Sequence, residues 1–377
     1  MELWEAGQSV ELICRTLRRS RSWFYKWLGR YQTGGANWFE LRSRCPHTSA
    51  RQMPEDVVEA VKMTRLSLYN KGVFCGAQAI RWELQDLAIE PLPSLRTINR
   101  ILAREELTHR RTGRYEPKGR TYPVLEATQP NQVHQSDFVG PCFLRGPLRF
   151  YSYNSVDLAT GRCAIEPVLE RGGQSVIDAI WAVWWRLGIP VNHQVDNELV
   201  FYGSPGHPRG MGHLIRLCLI YGVEPWFIPP REPWRNGVVE KFNDHYRQRF
   251  LSRQDLAGKR ALRKHSLAFE QRHNQNYRYS KLQGRTPTQS LSLAKTELRW
   301  PSTKSAPRTP LSKPRQGRYH LVRYIRSDRR LDVFGEKFEM PIEATYEYVV
   351  ATVVVAQQKL QVRIGDELID QIEYRLF

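Results

Sequence analysis

Apolar residues recur at helical spacing at the start of the chain, at Val10, Ile13 and Leu17 and again at Phe24, Trp27 and Leu28. The polar run Arg18-Arg19-Ser20-Arg21 interrupts them, so the pattern predicts helix, turn, helix within residues 1–35, with Ser20 as the second N-cap. Arg21, Ser22, Lys26 and Arg30 fall away from the apolar side, where a DNA-reading helix carries its contacts; an ordinary hairpin with a solvated basic face is the alternative. The architecture repeats over 54–107, where Val57, Val58, Val61, Ala79, Ile80, Leu84, Ile98, Ile101 and Leu102 face a core. Ser94 is placed to cap the last helix, leaving Arg96, Asn99 and Arg100 as polar candidates for phosphate or base contact, with Arg104 beyond them.

Between 131 and 290 the period changes. Val133, Gln135, Asp137 and Val139 alternate with His134, Ser136 and Phe138, and Phe150 to Val156 and Cys163 to Leu169 supply two further strands joined at Thr160-Gly161. Three consecutive antiparallel strands are expected, followed by a helix from Ser175 to Leu187, a strand from Val191 to Val195, a helix from His213 to Tyr221 and a strand from Pro225 to Ile228. Strands with packed helices make this an α/β core. Further on, Val239, Phe242, Tyr246 and Phe250 form a stripe on a helix that begins near Asn236-Gly237.

Two stretches read as connectors. Residues 108–130 hold Arg110, Arg111, Arg114, Lys118 and Arg120 among Gly and Pro, an extended basic linker suited to a DNA groove. Residues 301–318 combine Pro301, Pro307, Pro310 and Pro314 with five Lys or Arg, a linker rather than a packed element. Residues 319–377 are β-rich, with Gly365-Asp366 as a hairpin signal, and a small β-barrel is the simplest closure. The fold class is therefore multidomain: N-terminal helix-turn-helix units, a central α/β core and a small C-terminal β-barrel.

Composition adds a partner. Lys and Arg number 57 against 38 acids, a net charge of +19 that points to a polyanion, foremost nucleic acid. The six cysteines lie far apart with no metal spacing, so neither a disulfide framework nor a zinc site is expected. The start lacks a signal-peptide pattern and no apolar run reaches bilayer length, so no membrane partner is expected and the location should be cytoplasmic.

Three acids stand in separate settings: Asp137 on the first strand, Asp196 directly after the fourth, and Glu240 at the border of the amphipathic helix. If they converge they form a carboxylate triad for divalent metals, a general solution to in-line phosphoryl displacement. Asp244 and Arg247 follow Glu240 at i+4 and i+7 on the same side, where Arg247 could hold a DNA phosphate. Asp157, at a strand-to-turn boundary, is expected to cap the turn. His193, His207, His213 and His245 are expected to stay outside a site for hard cations.

These motifs resemble the integrase-core transposases of bacterial insertion sequences, relatives of retroviral integrase whose catalytic domain has the ribonuclease-H-like fold. The resemblance covers nearly the whole chain. The family's two aspartates and its glutamate fall on Asp137 in Gln-Ser-Asp-Phe-Val-Gly-Pro, Asp196 in Asp-Asn and Glu240 in Arg-Asn-Gly-Val-Val-Glu. It implies a DDE polynucleotidyl transferase that cleaves DNA ends and transfers the freed 3′-hydroxyl to target DNA. Two Mg²⁺ (or Mn²⁺) ions are implied, Asp137 bridging them and Asp196 and Glu240 each holding one. The implied partners are double-stranded element ends with terminal inverted repeats, target DNA, and further copies of the chain, in a bacterial nucleoid. The chain departs from the family at His134 and Gln135, where an aromatic residue is frequent, and at Glu198, where glycine often follows Asp-Asn. The Gly- and Pro-rich stretch 200–213 reads as an inserted mobile loop. A DNA-binding regulator on a catalytically silent core, and a metal nuclease that hydrolyses without joining, are the rival readings.

Overall fold

The computed structural model describes residues 1–377 except 41–52, 109–120, 145–148, 205, 208 and 255. The basic run 109–120 thus lies outside the described residues, as do Pro205 and Pro208 of the expected loop. The chain divides into two compact units, 1–54 and 55–377.

In the first unit a short helix α1 (Glu2–Glu5) precedes α2 (Val10–Thr16) and α3 (Arg21–Thr33). Ser9 and Ser20 cap α2 and α3 by accepting from the Leu12 and Trp23 amides, each worth about 1 kcal/mol. Ile13, Cys14 and Phe24 form its core, while Leu17, expected inside, is exposed at the turn. Ser22 and Lys26 are exposed as expected. Arg21 is engaged with Glu11 at 2.5 Å and Arg30 lies over the Trp27 ring.

The second unit opens with α4 (Glu55–Asn70), α5 (Ala77–Asp86) and α6 (Leu95–Arg104). Ser94 caps α6 through the Thr97 amide, and Arg96, Asn99 and Arg100 are exposed. The core follows: β1 (Val133–Phe143), β2 (Arg149–Asp157), β3 (Cys163–Val168), α7 (Gly173–Leu187), β4 (Asn192–Val195), α8 (Leu199–Tyr202), α9 (His213–Ile220), β5 (Glu224–Phe227), α10 (Gly237–Arg249), α11 (Lys259–Asn276) and α12 (Pro287–Leu293). Strands β1, β2 and β3 are antiparallel, while β4 joins β1 and β5 joins β4 in parallel.

Alternation along the strands assigns the two faces. Phe138, Tyr151, Tyr153 and Ala164 pack with Ile180, Trp184 and Leu214 of α7 and α9. Phe150, Val156, Cys163 and Ile165 pack with Phe242, Tyr246, Leu262 and Phe269 of α10 and α11. This central mixed sheet with helices on both faces resembles the ribonuclease-H-like core that the sequence motifs imply. The α4–α6 unit is fastened to it, with Phe74 against His245, Tyr277 and Tyr279, the Tyr277 hydroxyl on the Gly72 carbonyl, and Arg278 paired with Asp86.

The C-terminal strands join the core sheet. Strands β6 (Arg318–Tyr324), β9 (Tyr348–Val354), β10 (Lys359–Ile364) and β11 (Glu367–Glu373) extend the core sheet into nine strands ordered β11-β10-β9-β6-β5-β4-β1-β2-β3, and β7 (Arg330–Val333) and β8 (Glu336–Glu339) form a separate hairpin. β6 pairs in parallel with β5 and puts Tyr319 and Leu321 into the same apolar cluster as α7 and α9. The 301–318 stretch is likewise more than a spacer. Trp181 donates to the Thr303 carbonyl, Gln174 exchanges bonds with Pro307 and Thr309, Arg216 holds the Leu311 carbonyl, and Leu311 is buried. Proline-rich sequence here makes a strap tied down by side chains of α7 and α9, satisfying carbonyls that no ladder serves.

Deleting residues 318–377 should therefore expose the β5 edge and the Tyr319 and Leu321 seats. We expect such a truncation to lose cooperative thermal unfolding, as followed by circular dichroism; a stable, cooperatively melting 1–317 fragment contradicts the shared core.

Candidate active site

The site is built on the period of two along β1. His134, Ser136 and Phe138 face α7, where His134 is bonded to Asn131 at 2.9 Å and Ser136 to His193 at 2.7 Å. Burial pulls the His193 pKa down to about 3, so this ring is a neutral hydrogen-bonding element of the core. Gln135 and Asp137 face α10 instead. The Gln135 Oε1 accepts from the Val238 and Val239 amides at 3.1 and 3.3 Å, satisfying donors that the first turn of α10 leaves open. Asn236 donates back to the Ser136 carbonyl at 3.0 Å, and Gln194 to the Arg235 carbonyl at 2.9 Å. Residues flanking the first and third acids thus bind each other, fixing where α10 starts and where Glu240, in its first turn, stands.

Asp196 comes beside Asp137 by register. Gln135 pairs with Gln194 across the parallel strands β1 and β4, so Asp137 and Asp196 each lie two residues further on, where β4 has just ended at Val195 and β1 runs on to Phe143. Adjacent strands run about 4.8 Å apart, which sets the scale of their separation. Burial pushes the Asp137 carboxyl up to about 7, with repulsion from Asp196, Glu198 and Glu240 adding to it. Asp196 is raised to about 6 by burial and then by Glu198, while Arg171 pulls it back. Glu240 is raised by burial and by Asp244, its i+4 neighbour, and is the weakest of the repelling carboxylates at Asp137 and Asp196 alike.

Four residues of the site carry no sequence signal of their own. Asn243 donates to the Asp137 Oδ2 at 2.8 Å, and its own Oδ1 accepts from Asn154, which in turn accepts from the Ser152 hydroxyl. Asn154 stands directly opposite Asp137 on β2, and all three relay residues are buried. The chain of amides aims the Asp137 Oδ2, and the Phe138 backbone amide also bonds the carboxylate. The fourth residue is Glu198, two positions after Asp196, which binds Arg171 through both oxygens at 2.9 and 2.8 Å and brings a guanidinium to the acidic cluster. Asn243 at i+3 from Glu240 on the same helix, and Glu198 beside Asp196, were available as spacings without a reason to choose them.

The remaining candidates fall as follows. Arg247 is exposed on α10, and its charge reaches the Cys142 thiol. Asp157 caps its turn, accepting from the Asn131, Ala159 and Thr160 amides. The 200–213 stretch is held by Arg209, paired with Glu336 of β8 through two bonds at 2.9 and 2.6 Å.

The donor set suits a hard divalent cation: carboxylate oxygens, partly desolvated and repelling one another, a strain that a cation relieves. Among the described residues, however, no three His, Cys, Asp or Glu side chains stand close enough to hold one ion together. Of the carboxylates that raise Asp137, Asp196 acts most strongly and Glu240 least.

Residues 221–287 match the family model described as integrase core domain, a stretch that runs from the end of α9 to the first residue of α12 and contains Glu240. No curated protein matches the chain. Among solved structures, the HTLV-2 integrase catalytic core domain in complex with magnesium is 18% identical, covering 44% of this chain and 98% of its own, with a TM-score of 0.33. A simian T-cell lymphotropic virus intasome in complex with PP2A regulatory subunit B56 gamma is 15% identical, covering 84% of this chain and 97% of its own, at 0.38. The catalytic core domain of BIV integrase is 18% identical, covering 42% and 92%, at 0.32. Among the described residues no helix is long and apolar enough to cross a membrane.

Because the folded Asp137 carboxyl titrates near 7 against an ordinary 3.8, ionising it costs the metal-free fold stability that is intact below about pH 3.8 and lost as pH rises through about 7. Asp137→Asn should raise thermal stability at pH 8 by roughly 2 kcal/mol, allowing for partial solvent access, and by nothing near pH 3.5. Equal melting shifts at both pH values would contradict the buried, repelled carboxylate.

Proposed function

We propose, from the premise that this chain carries an integrase core domain, that it is a DNA transposase or integrase of the DDE type. It hydrolyses a phosphodiester at the end of a DNA element and joins the freed 3′-hydroxyl to target DNA. The observation that carries this reading is that Asp137 and Asp196 stand two residues beyond the paired Gln135 and Gln194 of adjacent parallel strands, raised to about 7 and 6, in a chain of net charge +19. Anionic carboxylates held half-buried against their own repulsion fit a cation-dependent centre better than a packing role.

Asp137, Asp196 and Glu240 would hold two Mg²⁺ or Mn²⁺ ions, which when bound supply activation of the attacking oxygen and stabilisation of the leaving one. Glu240 belongs to the set from the first turn of α10. Asn243 aims Asp137, Gln135 and Asn236 hold α10, and Arg247 meets a phosphate near the scissile bond. Arg21, Ser22, Lys26 and Arg30 on α3, and Arg96, Asn99 and Arg100 on α6, face the terminal inverted repeats. Joining two ends calls for more than one copy of the chain. A bacterial insertion sequence, acting in the cytoplasmic nucleoid, is the setting that fits.

A helix-turn-helix regulator on a silent core is the second reading, and the three intact acids argue against it. A pre-cut DNA end with a free 3′-hydroxyl, supplied with Mg²⁺, separates the possibilities. A regulator leaves it unchanged, a nuclease degrades it, and a transposase yields branched products. We expect branched products from the wild type, none from Asp137→Asn, Asp196→Asn or Glu240→Gln, and DNA binding by all four that weakens steeply with salt. Normal strand transfer by any of the three variants sinks the assignment.

A further inference from the structure

The segment after residue 300 reaches into the candidate active site through a single buried cation. Arg323 of β6 is only 5% exposed, and its guanidinium spans three places in the fold. Nε donates to the Asp332 carbonyl of β7 at 2.9 Å, Nη1 to the Val322 and Ile228 carbonyls at 2.9 and 3.3 Å, and Nη2 to the Asn197 Oδ1 at 2.9 Å. Asn197 in turn donates its own amide to the Ile228 carbonyl. The four oxygens that receive these donors are all neutral. Burying a guanidinium on neutral acceptors is costly, and here burial lowers its pKa to about 10, with Asp332 and two tyrosines pulling it back. An apolar residue would fill the same volume between strands without that cost. What a guanidinium adds is a planar fork that fixes several acceptors at once.

One of those acceptors is the residue directly after Asp196. β4 ends at Val195, so Asp196 has no ladder to hold it beyond the Glu198 amide that donates to its Oδ1. The cation whose charge lowers Asp196 is Arg171, bound to Glu198. Arg323 therefore acts on Asp196 by geometry, clamping Asn197 between the ends of β5 and β6.

We propose that Arg323 is a positioning residue for the metal-binding carboxylate Asp196, acting through the Asn197 side chain, so that the C-terminal strands form a working part of the catalytic centre. This rests on the reading of Asp137, Asp196 and Glu240 as a metal site. It assigns to the Asp-Asn pair a division of labour, in which the aspartate faces the cation and the asparagine is the handle by which the tail holds it.

The test uses the full-length protein and Mn²⁺ alone, with binding followed by the electron paramagnetic resonance of free Mn²⁺ and no DNA present. Arg323→Met and Asn197→Ala should each raise the Mn²⁺ dissociation constant about tenfold, the scale of an outer-shell partner lost. The double variant should do no worse than either single one, because both remove the same link. Arg323→Lys, which keeps the charge without the fork, should recover only part of the affinity. Arg318→Ala, on the same strand but paired with Glu224 in solvent, should bind as the wild type does. Should Arg323→Met fail to melt cooperatively, Arg323→Lys and Asn197→Ala carry the same comparison. Wild-type Mn²⁺ affinity in the folded Arg323 and Asn197 variants, or effects that multiply in the double variant, overturns the inference alone. Absence of saturable Mn²⁺ binding in the wild type overturns the metal-site reading and the inference with it.

Discussion

Strand β1 serves two opposite neighbours, and the site exists because its side chains alternate. Gln135 and Asp137 point to α10 while His134, Ser136 and Phe138 point to the α7 layer, so one strand anchors a helix with one residue and offers a carboxylate to it two residues later. A slip of one residue would put Phe138 against α10 and bury Asp137 beneath α7. Such a slip is opposed from both sides, by the His193, Ser136 and Tyr153 contacts on one face and by the Gln135 cap on the other. The helix that carries Glu240 is consequently placed by the same strand that carries Asp137, rather than by the loop that precedes it.

That arrangement concentrates negative charge in a strongly basic chain. Glu198 and Glu240 both act on Asp137 and Asp196, and the guanidinium whose charge pulls Asp196 back, Arg171, is bound to Glu198. An ion pair directly on Asp137 or Asp196 would remove the repulsion and with it the reason for a cation to bind. Hydrogen bonding does the aiming instead: Asn243 is neutral, so it orients Asp137 without neutralising it. Arg323 follows the same logic from the far side, holding Asn197 while its charge stays spent on carbonyls.

Much of this was legible beforehand where local chemistry decides it. The serine caps at Ser20 and Ser94, the β1 to β3 meander, the stripe on α10 and the turn role of Asp157 each follow from a period or a side chain's reach within a few residues. Where a partner lies far along the chain, the residues gave no warning. Asn243 and Asn154 are 89 positions apart, and Arg323 and Asn197 are 126 apart. Nothing in Asn or Arg as residue types announces which oxygen they will meet. The sheet that receives the tail is hidden for a related reason: β6 joins it by a parallel pairing with β5 that no hairpin signal precedes.

The residues beside the acids are occupied by structural work: His134 is a core hydrogen-bonding ring, Gln135 caps α10, and Glu198 gives Arg171 its partner. The 200–213 stretch between the second and third acids is tied by Arg209 to Glu336, and β6 is tied by Arg323 to Asn197. Both links run from the C-terminal strands to the segment around Asp196. The second carboxylate, whose own strand ends one residue before it, is therefore the member of the trio whose position depends most on the tail.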